Sequence, residues 1–246
     1  MKLSVPIHRL KRRARLMSRD RRIALARALD LVARDEGFAA WSELAARTAR
    51  SSPAGTILAR LEAGDLMLLG ARPRQGKTVL GLEILRDAVR EGRHAVFFTL
   101  ELTERETRDH LHALADGAGD GTGESGGDGG ERVRVVASDD ISAAVIMREL
   151  SGAPRGTVAV VDYLQALDQR RSNPELGAQV EALDAFARAE GVILVFLSQI
   201  DRSYDPALKP LPDLGDIRLP NRLDPARFTK TCFLHAGRAL FEATAP

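Results

Sequence analysis

The chain has 246 residues, of which 44% are hydrophobic and 28% charged, and a formal net charge of +2. That length suits one sizeable α/β domain plus a small appendage, and the apolar content suffices for a packed core, which excludes a disordered chain. The single cysteine, Cys232 in the apolar run 231–234, excludes an intrachain disulfide and reads as a core residue rather than a nucleophile. No apolar run approaches the roughly 18 residues of a bilayer span, and no signal-peptide apolar region follows the N-terminus. A soluble, cytoplasmic protein with no membrane partner is therefore expected, in keeping with the lone cysteine.

Charge is unevenly placed. Residues 1–27 carry ten Lys or Arg against one acidic residue, Asp20. Residues 9–49 read as two or three helices: Leu25, Leu29 and Val32 follow helical spacing, and Phe38, Trp41 and Leu44 close a small apolar cluster behind Gly37. This basic helical region, residues 1–50, suits nucleic-acid phosphates, an acidic protein surface or plain solvation, and the sequence does not choose among them. Residues 51–64 read as a linker and lead-in, beginning with Ser51-Ser-Pro-Ala-Gly55.

From residue 65 to 246 the pattern alternates strand and helix. Strand 66–69 leads through a loop to helix 77–90. Strand 95–100 and a helix from Thr103 to about Ala115 follow. Strands 133–136, 157–161 and 192–197 then alternate with helices 142–150 and 176–190. Such alternation implies a mainly parallel sheet flanked by crossover helices, an α/β fold. Residues 116–130 hold eight glycines in fifteen positions with no large apolar side chain, and read as a flexible loop. No strand leads into them, so they are not a nucleotide loop. The proline-rich stretch with Pro206, Pro210, Pro212, Pro220 and Pro225 is too long for a simple connection, and long loops at one end of a parallel sheet carry function.

The chemistry gathers at the strand ends. Leu66-Met-Leu-Leu-Gly70-Ala-Arg-Pro-Arg-Gln-Gly-Lys-Thr78 reads as a phosphate-binding loop between a strand and an amphipathic helix. Gly76 frees the backbone to close on phosphate oxygens, Lys77 reaches the β and γ phosphates, and the Thr78 hydroxyl suits Mg²⁺. The strict pattern asks for glycine where Ala71 stands. Arg72, Gln75, Gly76, Lys77, Thr78 and Val79 are the candidate nucleotide-binding residues. Val158-Ala-Val-Val-Asp162 ends an apolar strand in a carboxylate suited to holding Mg²⁺, so Thr78 and Asp162 are the candidate metal residues. Phe97-Phe-Thr-Leu-Glu101 ends another strand, and Glu101 can take a proton from an attacking water. Phe196-Leu-Ser-Gln199 ends a third in an amide able to sense the γ phosphate. Lys77, Glu101 and Gln199 are thus the candidate catalytic residues, with ATP and Mg²⁺ as the implied substrate and cofactor. His110 and His112, two apart on a predicted helix, share no face, and no zinc site is expected.

The segments 71–78, 97–101, Val161-Asp-Tyr-Leu-Gln165 and Leu197-Ser-Gln-Ile-Asp-Arg-Ser203 closely resemble, in order, the signatures of the ATPase domain of DnaB-family replicative helicases, which are RecA-like motors. Ala71 in place of the first glycine is itself typical of that family. Pro212-Asp-Leu-Gly-Asp-Ile-Arg218 is similar to the family's loop before its last core strands. The resemblance covers roughly residues 52–236. It implies that Lys77 and Thr78 bind phosphates and Mg²⁺, that Glu101 activates water and Asp162 holds the metal. Gln199 would couple the nucleotide state to a DNA-facing loop. It further implies ATP hydrolysis, single-stranded DNA as partner and a homo-oligomer, ring or filament, with ATP at subunit interfaces. Arg170, Arg171, Arg202, Lys209, Arg218 and Arg222 lie where such proteins place their DNA loops, with Arg227 beyond them, and Tyr204 and Phe228 are the aromatic platforms available there. Solvated loop charges are the plain alternative. Residues 1–50 do not match the family's N-terminal domain. The family's later strands, with the basic residues that reach a neighbour's ATP, are expected to be missing. Arg238 makes a poor arginine finger, so turnover is expected to be slow and strand separation doubtful. A RecA-like regulatory or loader protein with weak or no hydrolysis is the alternative reading.

Overall fold

The computed structural model describes residues 3–118, 132–170, 172–217, 223–235 and 238–243. Three N-terminal helices come first: α1 (Ile7–Arg21), α2 (Leu25–Asp35) and α3 (Trp41–Arg50). Arg22 ends α1 in a left-handed conformation, which turns the chain back so that α2 lies along α1. The Asp30 carboxylate accepts the backbone N–H of Trp41 at 2.9 Å and fixes the start of α3. Leu10, Ala14, Leu29, Val32, Trp41 and Leu44 form an apolar cluster separate from the core of the sheet.

The stretch expected to be a linker is instead partly a helix, α4 (Pro53–Leu58). Ser52 caps it by accepting the Gly55 N–H at 3.0 Å, and Pro53 occupies the first turn, where no donor is needed. Ala54, Ile57 and Leu58 are buried in the core cluster of the sheet, so this segment belongs to that core.

Among the described residues seven strands make one sheet: β1 (Leu66–Ala71), β2 (Ala95–Thr99), β3 (Val133–Ala137), β4 (Val158–Asp162), β5 (Ile193–Gln199), β6 (Lys230–His235) and β7 (Arg238–Ala243). Their spatial order is β3-β2-β4-β5-β1-β6-β7, every neighbouring pair parallel except β6 and β7. Helices α5 (Lys77–Arg90), α6 (Glu104–Ala118), α7 (Ala143–Leu150) and α8 (Leu176–Glu190) cover its faces. Because side chains alternate across a strand, β1 sends Leu66 and Leu68 to one core cluster, shared with α7 and α8. Met67, Leu69 and Ala71 go to the other, shared with α4, α5 and α6. The α/β fold with a mainly parallel, helix-flanked sheet is as expected from the sequence.

Most strand ends differ by one or two residues from the expected bounds, and the differences at the site edge have a common cause. β4 runs to Asp162 and β5 to Gln199, because the parallel ladder pairs backbones whatever the side chain: Asp162 stands opposite Leu197, and Gln199 opposite Ala71. α6 continues to Ala118 rather than about Ala115, and the rest of the expected glycine-rich loop lies outside the described residues. β7 returns antiparallel beside β6 and supplies an edge strand at residues 238–243, to which the sequence pattern assigns no element. Two glycines permit the tight contacts around β1 and α5. A Cβ on Gly70 would meet the Phe233 ring at 2.8 Å, and one on Gly81 would come within 3.1 Å of Val160.

Candidate nucleotide site

A parallel sheet brings all its strand carboxyl ends to one edge, and here that edge carries the side chains singled out above. β1 ends at Ala71, and the chain crosses residues 72–76 before α5 begins at Lys77. Gly76 adopts φ 85°, which residues with a Cβ rarely take, and turns the backbone so that the first N–H groups of α5 face the loop. A helix N-terminus with a flexible preceding backbone is an anion site.

Asp162, fully buried at the end of β4, organises the centre. Its Oδ1 accepts from Lys77 Nζ at 2.7 Å, and its Oδ2 accepts from the Thr78 hydroxyl at 2.8 Å. A buried carboxylate is costly unless paired and hydrogen-bonded, and these two neighbours satisfy both oxygens. Glu101, about half exposed, brings Oε2 to 4.0 Å from Lys77 Nζ. The Tyr163 ring lies 5.7 Å from the same ammonium. Lys77, Thr78, Glu101 and Asp162 are therefore one constellation.

The donor set suits a hard cation. A hydroxyl and a carboxylate oxygen 2.8 Å apart offer Mg²⁺ the one or two protein oxygens it uses when phosphates and water complete its shell. Among the described residues no group of three or more His, Cys, Asp or Glu side chains could hold a metal by itself.

The remaining candidates fall into three positions. Gly76 and Gln75 lie in the loop, with the Gln75 N–H donating to the Arg72 carbonyl at 3.2 Å, and Val79 is exposed on the first turn of α5. Gln199 is the last residue of β5, beside Ala71. Arg72, a candidate nucleotide residue, also has partners within the protein. Its Nη2 donates to the Arg202 carbonyl at 3.2 Å, and its guanidinium lies 5.9 Å from the Tyr204 ring centroid. The reason is topological: β1 is flanked by β5 and β6, so the first loop residue after β1 meets the loop that follows β5.

The nucleic-acid candidates are less uniform. Arg202 is exposed, Arg170 pairs with Asp140 at 3.4 Å, and Lys209 pairs with Asp213 and, at 2.8 Å, with Asp216. The Asp213 carboxylate beside Lys209 holds the ammonium above its ordinary pKa, so Lys209 is charged but engaged. Arg171, Arg218 and Arg222 lie outside the described residues. The expected aromatic platforms are corrected. Tyr204 is 4% and Phe228 1% exposed, and Phe228 packs edge-on to Phe196 at 6.1 Å, so neither ring is open to a base. Cys232 is buried, and desolvation pushes its thiol up to about 12, which leaves no thiolate for chemistry.

Two residues at this edge carry no role in the sequence reading. Thr99, fully buried at the end of β2, accepts the N–H groups of Glu101 and Leu102, each at 3.1 Å, and so sets the turn that presents Glu101. A threonine two residues before a strand-end acid is the local signal for such a turn. Gln165 donates to the Ser198 hydroxyl at 3.1 Å and ties the turn after β4 to β5; nothing in the separate segments announces that contact.

The fold is RecA-like: a mainly parallel, helix-flanked sheet whose strand β1 leads through a P-loop-type turn into α5. In sequence the chain is similar to the replicative DNA helicase DnaB of Mycoplasma pneumoniae, 24% identical over 190 residues, which cover 63% of this chain and 39% of that protein. It thus spans about two fifths of the length of that relative. In structure it is similar to a solved ATPase domain, with a TM-score of 0.57 and 20% identity over 79% of this chain and 80% of that one. A DnaB-like replicative helicase, described with its primase interactions, gives a TM-score of 0.56 at 16% identity and covers 92% of this chain and 64% of its own. A KaiC-like protein from Pyrococcus horikoshii gives 0.50 at 15% identity, over 74% of this chain and 80% of that one. No protein-family model matches the chain. The resemblance read from the sequence motifs, to the RecA-like ATPase domain of DnaB-type helicases, is borne out by these comparisons. Among the described residues no helix is long and apolar enough to cross a membrane.

Proposed function

We propose that the chain is a DnaB-type ATPase that binds ATP with Mg²⁺, hydrolyses it, and uses the cycle to grip or move along single-stranded DNA. The observation that carries this reading is the pairing of Lys77 and Thr78, at the start of α5, with the buried Asp162, with Glu101 beside them. The Lys77 ammonium exchanges its Asp162 contact for phosphate oxygens when ATP enters, since a flexible point charge suits that task. The Thr78 hydroxyl and Asp162 would hold Mg²⁺, which supplies positive charge to the β and γ phosphates when bound. Glu101, on a turn fixed by Thr99, orients the attacking water and accepts its proton. Gln199, next to Ala71, reads the γ phosphate. Head-to-tail assembly, in a ring or filament with ATP at the interfaces, would let a neighbour supply the arginine whose transition-state contact is worth about 10³ to 10⁵ in rate. Arg170 and Arg202 are the described cations we assign to the strand. The helices of residues 1–50 are a second basic surface for nucleic acid or an acidic partner, and the protein works in the cytoplasm.

The test is steady-state ATPase with and without oligo-dT. In Lys77→Ala hydrolysis falls on the order of 100-fold or more. Because that change also strands the buried Asp162, Glu101→Gln is the cleaner arm. It keeps shape and fold, and lowers kcat about 100-fold with ATP affinity retained. Wild-type activity unchanged in Glu101→Gln would remove Glu101 from the reaction, and unchanged activity in Lys77→Ala would sink the reading as a whole.

A further inference from the structure

The loop after β5 is tied together from within. The Asp201 N–H donates to the Asp216 carbonyl at 2.7 Å, Lys209 pairs with Asp213 and Asp216, and the Tyr204 hydroxyl donates to the Lys209 carbonyl at 2.9 Å. Tyr204 is the buried anchor of this unit. One side of its ring meets His235, at the end of β6, edge-on at 5.5 Å. The Arg72 guanidinium, at the start of the phosphate loop, lies 5.9 Å from the ring centroid and also donates to the Arg202 carbonyl. A single ring thus touches the ends of β1 and β6 and the loop that follows β5. A guanidinium over an aromatic face moves with that face, because the planar cation keeps its attraction only while stacked or bonded there.

We propose that Tyr204 is a positioning residue that couples the phosphate loop to residues 201–216. It acts by holding Arg72, so that phosphate binding and strand binding strengthen one another. The inference rests on the ATP-and-strand reading above. The route is separate from Gln199, which lies within β5, before the loop begins. It requires no exposure of Tyr204 to DNA, which fits a ring that is 4% exposed. It also assigns Arg72 a role other than plain phosphate binding, in keeping with its observed partners. A coupling of this kind is reciprocal: whatever factor the strand adds to nucleotide affinity, nucleotide must add to strand affinity.

The experiment measures four dissociation constants in each of three forms of the 246-residue chain, wild type, Tyr204→Phe and Tyr204→Leu. These are for a non-hydrolysable ATP analogue with and without oligo-dT, and for oligo-dT with and without the analogue. In wild type the two enhancement factors should be equal and about tenfold. Tyr204→Phe keeps the ring under Arg72 and should keep the factor. Tyr204→Leu should reduce both factors to about one, while affinity for the analogue alone stays within about threefold of wild type. Retention of the factor in Tyr204→Leu overturns the coupling role alone. Loss of it in Tyr204→Phe as well, together with the circular-dichroism signal of the fold, assigns Tyr204 a purely structural role and also overturns it. Wild type that binds the analogue but shows no enhancement, or binds neither ligand, overturns the underlying reading and the coupling with it.

Discussion

The carboxyl edge of the sheet and the N-terminal three-helix unit use charge in opposite ways. At the edge, charges are fixed by burial and by each other: Asp162 is fully buried and bonded to both Lys77 and Thr78. In the helical unit the apolar residues are fixed and most charges face outward, with Arg9, Arg12, Arg15 and Arg19 exposed on α1 around a Leu16 that is itself 51% exposed, while Lys11 is buried and Asp30 caps α3. Burial of a charge demands a particular partner, so at the edge residue type and chemistry are bound together. An exposed arginine demands none, and its position says little about what it meets. The two regions should therefore respond to mutation differently, the edge in activity and the unit in stability.

The largest expected effect tests that separation. Leu29 is 1% exposed within the helical cluster, and Leu29→Ala should cost about 2 to 5 kcal/mol there through lost burial and a residual cavity. The chain's one tryptophan, Trp41, lies in the same cluster, so its fluorescence reports unfolding of this unit. The Trp41 transition should move to markedly lower urea, with ATPase kcat in buffer within about twofold of wild type. A parallel collapse of ATPase would show that the two regions share one cooperative fold, and the comparison would break.

Legibility in the sequence follows the same division. α5 and α8 have the bounds that hydrophobic periodicity indicates, Lys77–Arg90 and Leu176–Glu190, because an apolar face and a left-handed glycine just beyond the C-terminus, Gly92 and Gly191, agree there. Hydropathy reads the strand ends short, because Asp162, Ser198 and Gln199 are polar and the apolar pattern stops at them while the ladder does not. α4 reads as a linker because Ser-Ser-Pro-Ala-Gly carries turn chemistry, and the same Ser-Pro pair is also a helix start. At the site, Lys77, Thr78, Glu101 and Asp162 are legible because a phosphate loop and acid-ended parallel strands must converge on one sheet edge. The attachment of Arg72 to the loop carrying Arg202, 130 residues later, is not legible, since no local pattern encodes it. Nor is the burial of Tyr204 and Phe228, which depends on what the loop folds against.

An intermediate effect sharpens the edge half of the comparison. Thr99→Val keeps the buried volume but removes the acceptor that Glu101 and Leu102 N–H share. The turn loosens, Glu101 loses its fixed reach, and kcat should fall about tenfold with KM unchanged. Thr99→Ser restores the oxygen and should restore kcat. A rise in KM with kcat intact would instead place Thr99 in nucleotide binding.

The smallest expected effect concerns the joint between the two regions. α4 follows the helical unit in the chain, yet its Ala54, Ile57 and Leu58 are buried with Met67, Leu69 and Leu85 of the sheet side. Ser52→Ala removes the N-cap oxygen that accepts the Gly55 N–H and should cost about 1 kcal/mol, whereas Ser52→Asp keeps an acceptor and should cost little. Because the capped turn packs on the sheet, the loss should appear in the far-ultraviolet circular-dichroism midpoint, which the sheet and its helices dominate, and not in the Trp41 midpoint. The opposite pattern would attach α4 energetically to the N-terminal unit and move the boundary between the regions to residue 59 or beyond. A one-residue cap thus decides on which side of the comparison this short helix stands, and whether the phosphate loop's own strand begins from a foundation that the N-terminal helices can disturb.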